Sequence, residues 1–317
     1  MSEPHGVVLL ADIGGTNARF RLQDREGTIL HEVVLSTPAF PGPAEAIEAA
    51  VAGTGLHPTG AVLALAGPVE GDDFAFTNAD WHFSRIALER QLGLTRLVLL
   101  NDFEALASAL PLLGEADREV WQAGRPQAGR ALGILGPGTG LGMAAAVPAG
   151  DRWTVVSGEG GHGTAAAQDE FEWAILSRLR ARAGHVSWER VACGPALSLL
   201  ADLVAAEWGQ PEPRLASEEV AVSDLPTAVE ARRLFAAFLG GAAGNFALCC
   251  GTRAGIYFAG GVLPKLGTRF DRDLFLRRFR EKGRFESYLR DIPLWLLTRR
   301  DAAFVGMLAH LLPVPRP

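Results

Sequence analysis

The first apolar run, VVLLADI from Val7, is continuous and reads as a strand covered on both faces. After a Gly-Gly turn, ARFRLQD alternates strictly, with Ala18, Phe20 and Leu22 on one face and Arg19, Arg21 and Gln23 on the other. Gly27 turns the chain into TILHEVVLS, so three consecutive antiparallel strands are expected to open the molecule. PAEAIEAAVAG then reads as a helix, residues 61–67 as a strand, 84–92 as a helix and 96–102 as a strand. A helix from Phe103 to Leu113 follows, with Phe103, Leu106, Leu110 and Leu113 at helical spacing. A three-strand meander followed by alternating helices and strands is the order of a ribonuclease-H-like lobe, and a plain Rossmann domain does not begin this way.

The second half starts the same way. ALGILGPGTGLGMAAAV, residues 131–147, is apolar strand, small-residue turn and apolar strand again. This likeness predicts two lobes of one design, each presenting a glycine hairpin to a shared cleft. WTVVSG then reads as a strand and 168–183 as a helix, with Gly124–Arg130 a polar loop near the lobe boundary. Residues 255–262 and 292–298 read as strands, and AAFVGMLAHLL as a last helix packing back onto the first lobe. The run LFAAFLGGAAGNFALCCG, Leu234–Gly251, is apolar enough to test as a membrane span, but Asn245 and its glycines favour a core helix that lets a neighbour approach closely.

Composition narrows the chemistry. With 48% hydrophobic and 21% charged residues among 317, the chain is globular and long enough for two lobes. A net charge of −6 argues against nucleic-acid and anionic-membrane partners. Only Lys265 and Lys282 are lysines. A polyphosphate would therefore be handled by backbone dipoles, arginines or a divalent ion. The three cysteines, Cys193, Cys249 and Cys250, form no C-x-x-C and are expected to be buried thiols in a reducing cytosol. No basic segment followed by an apolar signal core precedes Val7, which adds to the expectation of a cytoplasmic protein.

Four features carry candidate chemistry. The turns Gly14-Gly15-Thr16 and Gly138-Thr139-Gly140 are either plain hairpins or amide nests for phosphate oxygens. Asp12, at the first strand's end, is either a turn cap or a Mg²⁺ ligand, direct or through water. Asn101 and Asp102 end a strand and precede a helix, where each is either an N-cap or, for the carboxylate, an acceptor of a substrate proton. SGEGGHGT, residues 157–164, matches the dinucleotide pattern formally, but Glu159 inside the turn would repel a pyrophosphate. Glu159 and His162 suit a ligand with hydroxyls, or else a surface turn. No Walker A loop, nucleophile elbow or H-E-x-x-H is present.

Together ADIGGTNARF, TNADW, NDFEA, GPGTGLG, GEGGHG, GHVSWERVACGPAL, FAGGV, EKGRFESYLRDIP and GMLAHLL resemble the bacterial ATP-dependent glucokinase family of the actin/hexokinase/Hsp70 superfamily, almost end to end. The resemblance implies an α/β fold of two ribonuclease-H-like lobes with an interlobe cleft, divided as 1–112 plus 300–317 and 113–299. It implies ATP-dependent phosphorylation of D-glucose, with ATP and Mg²⁺ required, in a cytoplasmic homodimer. By the family pattern Asp102 is the catalytic base, and Asn101, Glu159, His162, Glu189 and Asn78 bind sugar. Asp12, Gly14, Gly15, Thr16, Asn17, Gly138, Thr139, Gly140, Gly260 and Gly261 bind ATP, with Asp12 toward the metal. The turn CGPAL at 193–197 departs from the family, because Ala196 replaces a glycine there. No cysteine-rich zinc motif follows His162 and no helix-turn-helix precedes the first strand, so a sugar-responsive repressor is disfavoured. A kinase for another hexose or an amino sugar is the nearest rival. More distant rivals are an actin- or Hsp70-like ATPase module and a dinucleotide oxidoreductase.

Overall fold

The structure, a computed structural model, describes residues 6–69, 71–75 and 81–311; Asn78 lies outside them. Two compact units divide the chain, Met1–Leu113 with Arg299–Pro317, and Gly114–Thr298.

In the first unit β1 (Val8–Ile13), β2 (Asn17–Gln23) and β3 (Ile29–Ser36) form an antiparallel meander. After α1 (Pro43–Val51), β4 (Gly60–Leu65) pairs parallel to β1. β5 (Asp73–Ala75) and β6 (His82–Ser84) form a small separate ribbon, which short polar segments gave no sign of. α2 (Arg85–Gln91), capped by Ser84, leads to β7 (Arg96–Asn101), which pairs parallel to β4. The five-stranded order is β3-β2-β1-β4-β7. α3 runs over Asp102–Ala109 and gives way to a 3-10 turn at Leu110–Leu112. It is shorter than the apolar spacing predicts because Pro111 has no amide to continue the ladder.

The second unit repeats the plan. β8 (Arg118–Gln122) comes first, then the meander β9 (Leu132–Pro137), β10 (Leu141–Ala149) and β11 (Arg152–Gly158). Helices follow: α4 (Glu170–Ala183), α5 (Ala196–Glu207), α6 (Ser217–Val222) and α7 (Pro226–Cys250). β12 (Gly255–Phe258) pairs parallel to β9. After α8 (Val262–Leu266), α9 (Arg272–Arg280) and α10 (Glu286–Arg290), β13 (Leu294–Leu297) pairs parallel to β12. The order is β11-β10-β9-β12-β13-β8. Without the added edge strand β8 it matches the first sheet, so both units are ribonuclease-H-like α/β layers. β12 ends at Phe258, four residues short of the expected strand, because Gly260 takes φ +89° and turns the chain out of the sheet.

α7 is the core helix of the second unit, with 72% of its apolar window buried. A Cβ on Gly240 would lie 3.0 Å from Arg278 Cβ, and one on Gly244 would lie 2.5 Å from Phe279 O. Those bare positions let α9 lie directly on α7. Of the cysteines, Cys193 is buried, Cys250 is half-buried and Cys249 is exposed. The expectation of buried thiols therefore fails at Cys249, which falls on the outer side of the last turn of α7.

The last helix, α11 (Ala302–Ala309), belongs to the first unit and packs on α3 and β1. The arginine face of β2 is not a solvent face: Arg21 is 7% exposed and Gln23 3%. The Arg19 and Arg21 guanidinium groups lie 4.9 and 4.3 Å from the Phe304 ring centre, and Arg21 bonds Glu32 and Asp301 at 2.7 and 3.1 Å. Planar, weakly hydrated guanidinium heads stack on an aromatic face where ammonium groups would keep their water.

Candidate active site

At the carboxyl edge of the first sheet, register aligns Ile13 with Leu65 and Leu65 with Asn101. Strands lie ~4.8 Å apart, so the Asp12–Thr16 turn and the Asn101-Asp102 pair stand roughly 10 Å from one another on one edge. The turn is closed by Gly14 N–H donating to Asn17 O at 3.0 Å and by Thr37 Oγ1 donating to Gly14 O at 2.7 Å. Thr16 and Asn17 are exposed.

Asn101 is the N-cap of α3. Its Oδ1 accepts from the amides of Phe103 and Glu104 at 2.9 and 3.3 Å, and Glu104 returns to the Asn101 amide as a capping box. Its Nδ2 donates to Gly67 O at 3.0 Å, which ties β7 to the end of β4. Asp102 is the first residue of α3, and its Oδ1 accepts the Phe103 amide at 2.9 Å. Both side chains accept amides at the start of α3, the capping alternative of the sequence. The Asn101 side chain takes two amides, and the Asp102 carboxylate, at the first helical position, takes one.

In the second unit Glu159, His162 and Glu189 converge. His162 Nε2 lies 3.8 Å from Glu159 Oε2 and 3.8 Å from Glu189 Oε1. The first two ride a 3-10 turn, Gly160–His162, and are open, with side chains 62% and 60% exposed. Glu189 begins another 3-10 turn and is 29% exposed. The two turns are stitched together by Trp188 N–H donating to Gly163 O at 2.9 Å and Ala165 N–H to Val186 O at 2.9 Å. Glu189 is also anchored: its Oε2 accepts the Leu141 amide at 2.9 Å, beside the Gly138–Gly140 turn. Within that turn Gly138 N–H donates to Gly140 O at 2.8 Å, leaving the Thr139 and Gly140 amides unengaged among the described residues. Burial pushes the nearby Cys193 thiol up to about 11, and the negative charge of Glu189 adds to that rise.

Three loops meet around the second turn. Gly194 N–H donates to Gly138 O at 2.8 Å, and a Cβ on Gly260 would lie 2.9 Å from the Pro137 carbonyl carbon. They border a cavity of about 690 Å³ lined by Gly138, Thr139, Gly261, Ser217, Glu218 and Lys265. Ala196, the departure from the family, is buried as the first residue of α5, so its methyl group faces the core. The contributions of α6 and Lys265 are absent from the sequence-based assignment; the one available signal was that Lys265 is among only two lysines.

Asp12 is the residue suited to a divalent ion. Burial raises its carboxyl, and Arg19, with Nε 3.8 Å from Asp12 Oδ2, opposes that rise. Arg19 Nε itself is buried without a hydrogen bond among the described residues. Among the described residues no cluster of three metal-ligating side chains occurs. One carboxylate beside the glycine turn would suit Mg²⁺, which keeps most of its water and takes its remaining ligands from substrate phosphates.

Comparison with known proteins bears on this arrangement. The family model for glucokinase matches residues 9–313. A glucokinase of Chromobacterium violaceum is 42% identical over 308 residues, covering 96% of this chain and 88% of its own length. A bifunctional protein of Paraburkholderia xenovorans is 42% identical over 314 residues, and there the chain spans about half, 49%, of the relative's length. The crystal structure of a glucokinase from an Antarctic psychrotroph superposes with TM-score 0.85 at 31% identity, covering 97% of this chain and 99% of that one. With a family model spanning nearly all of its residues, the chain belongs to the glucokinase family.

Proposed function

We propose that this protein transfers the γ-phosphoryl group of ATP to the 6-hydroxyl of D-glucose, giving glucose 6-phosphate, with Mg²⁺ and as a homodimer. One observation carries the reading. Two carboxylates and a histidine converge at 3.8 Å beside a glycine turn whose amides at Thr139 and Gly140 are unengaged among the described residues. Hydroxyl-rich ligands need acceptors and mixed donors at such spacing, and polyphosphates need amides. An acidic chain with two lysines would otherwise have few means to hold ATP.

In this mechanism Glu159, His162, Glu189 and Asn101 bind and orient the sugar hydroxyls. Asp102 hydrogen-bonds the 6-hydroxyl and takes its proton as the oxygen attacks phosphorus. The transition state is loose, so positioning and electrostatics dominate. The Gly14–Thr16 and Gly138–Gly140 turns hold the phosphate oxygens, and the 690 Å³ cavity takes the nucleoside. Asp12 would hold Mg²⁺, which neutralises phosphate charge when bound.

A coupled ADP assay over a panel of hexoses and amino sugars tests the proposal. Glucose-dependent ADP release that requires Mg²⁺ is the expected result, and light scattering reads the dimer. ATP turnover indifferent to sugar would replace the reading with an ATPase module, and preference for another sugar would reassign the substrate.

A further inference from the structure

Gly140 stands in a turn assigned to phosphate, yet its own backbone does not demand glycine, since it is absent from the positive-φ positions. What occupies the space of a side chain is Glu189. A Cβ on Gly140 would fall well inside contact distance of Glu189 Oε2 and 3.2 Å from its carboxyl carbon. That oxygen has little freedom to move, because it accepts the Leu141 amide at 2.9 Å. The partner oxygen Oε1 is the one that faces His162, at 3.8 Å. Leu141 also seats the other sugar turn, because its carbonyl oxygen lies against the bare α-carbon of Gly161.

We propose that Gly140 is a positioning residue of the sugar site: its missing side chain and the adjacent Leu141 amide hold Glu189 so that Oε1 meets the sugar. The inference rests on the sugar-kinase reading and deepens it. A methyl group at position 140 would push the carboxylate off the amide and rotate Oε1 away from His162. A charge-assisted hydrogen bond and its geometry are then lost from glucose binding, while the Thr139 and Gly140 amides stay available for phosphate.

Calorimetric titration separates the two roles. Glucose titrated without nucleotide should bind Gly140→Ala about 10- to 100-fold more weakly than wild type, a loss matching one charge-assisted bond. The non-hydrolysable analogue AMPPNP with Mg²⁺, titrated without sugar, should lose less affinity from Gly140→Ala than glucose does. The reverse pattern, weakened nucleotide with unchanged glucose, would overturn the proposal. A Glu189→Asp background provides the second measurement, because the shorter carboxylate vacates the contested space. Adding Gly140→Ala there should weaken glucose by less than about twofold, a non-additivity that a merely structural defect would not produce. A loss equal to that seen in wild type overturns the idea. If Gly140→Ala alone does not fold, a folded double variant binding glucose like Glu189→Asp supports the proposal, and an unfolded one refutes it. Wild-type protein that binds no hexose instead removes the sugar-kinase reading itself, and the proposal with it.

Discussion

Asn101 and Asp102 are adjacent, both polar and both at a helix start, yet the structure commits them differently. Asn101 spends Oδ1 on two amides of α3 and Nδ2 on Gly67 O, so it locks β4, β7 and α3 into one edge. Asp102 occupies the first helical position, carried by that rigid frame. Asp102→Ala should lose at least ~10²–10⁴ in kcat while glucose still binds, the span of general-base assistance. Steady-state rates paired with glucose titration check this, and near-normal turnover would remove Asp102 from the role of base. Glu189 teaches a related lesson, since one of its oxygens is a structural acceptor and only the other faces His162.

Elements are tied by a few buried polar groups. In the second unit Arg278 of α9 reaches the start of α4, pairing closely with Glu172 and bonding Asp169 at 2.9 Å. The Glu172 side chain is 2% exposed and Arg278 9%, and burial raises the Glu172 carboxyl. Replacing Arg278 by Met leaves that carboxylate buried without its partner. The expected loss is about 3–5 kcal/mol of unfolding free energy, read by urea denaturation. Restoring neutrality with Arg278→Met/Glu172→Leu should recover much of it, and a single variant as stable as wild type would show that the pair contributes nothing. In the first unit α11 fits α3 through Gly306, whose Cβ would lie 2.9 Å from Ala109 N. The helix carrying Asp102 is therefore positioned by residues some two hundred places away in the sequence.

Across the molecule, pH acts through groups whose environments differ most from water. Burial, aided by Arg96, lowers the basicity of His310, which shares a 2.9 Å hydrogen bond with Ser108. Its folded-state value lies below the unfolded 6.5, so the unfolded chain binds the extra proton first. The stability it contributes is complete above pH 6.5 and is lost as pH falls below that value, at a slope of at most ~1.4 kcal/mol per pH unit for one proton. Melting temperature should fall on the acid side of pH 6.5 in wild type, and His310→Gln should flatten that limb. Identical limbs would exclude His310 as the cause. Asp12, Glu104 and Glu172, raised by burial, act in the opposite sense, favouring the folded state once protonated. Comparison with the variant isolates the histidine from them.

Periodicity and turn chemistry, both local, were enough to read the two meanders, the glycine hairpins between their strands and the core helix at α7 from the sequence, while the roles of the motif residues, Glu189 above all, came from the family resemblance. β4 is buried throughout and β1 everywhere but Asp12, so apolar runs mark them, and VVLLADI and AVLALAG show this without knowledge of their neighbours. What pairs across long separations was not legible. Alternation in β2 places Arg21 on the second face but cannot say that Phe304 covers that face, 283 residues on. β8 has too few apolar positions to announce itself and becomes a strand because β13 offers an open edge. Only the folded chain decides that Gly140 borders the Glu189 carboxylate, because the space beside one residue is filled by a side chain 49 places away and neither local sequence records it.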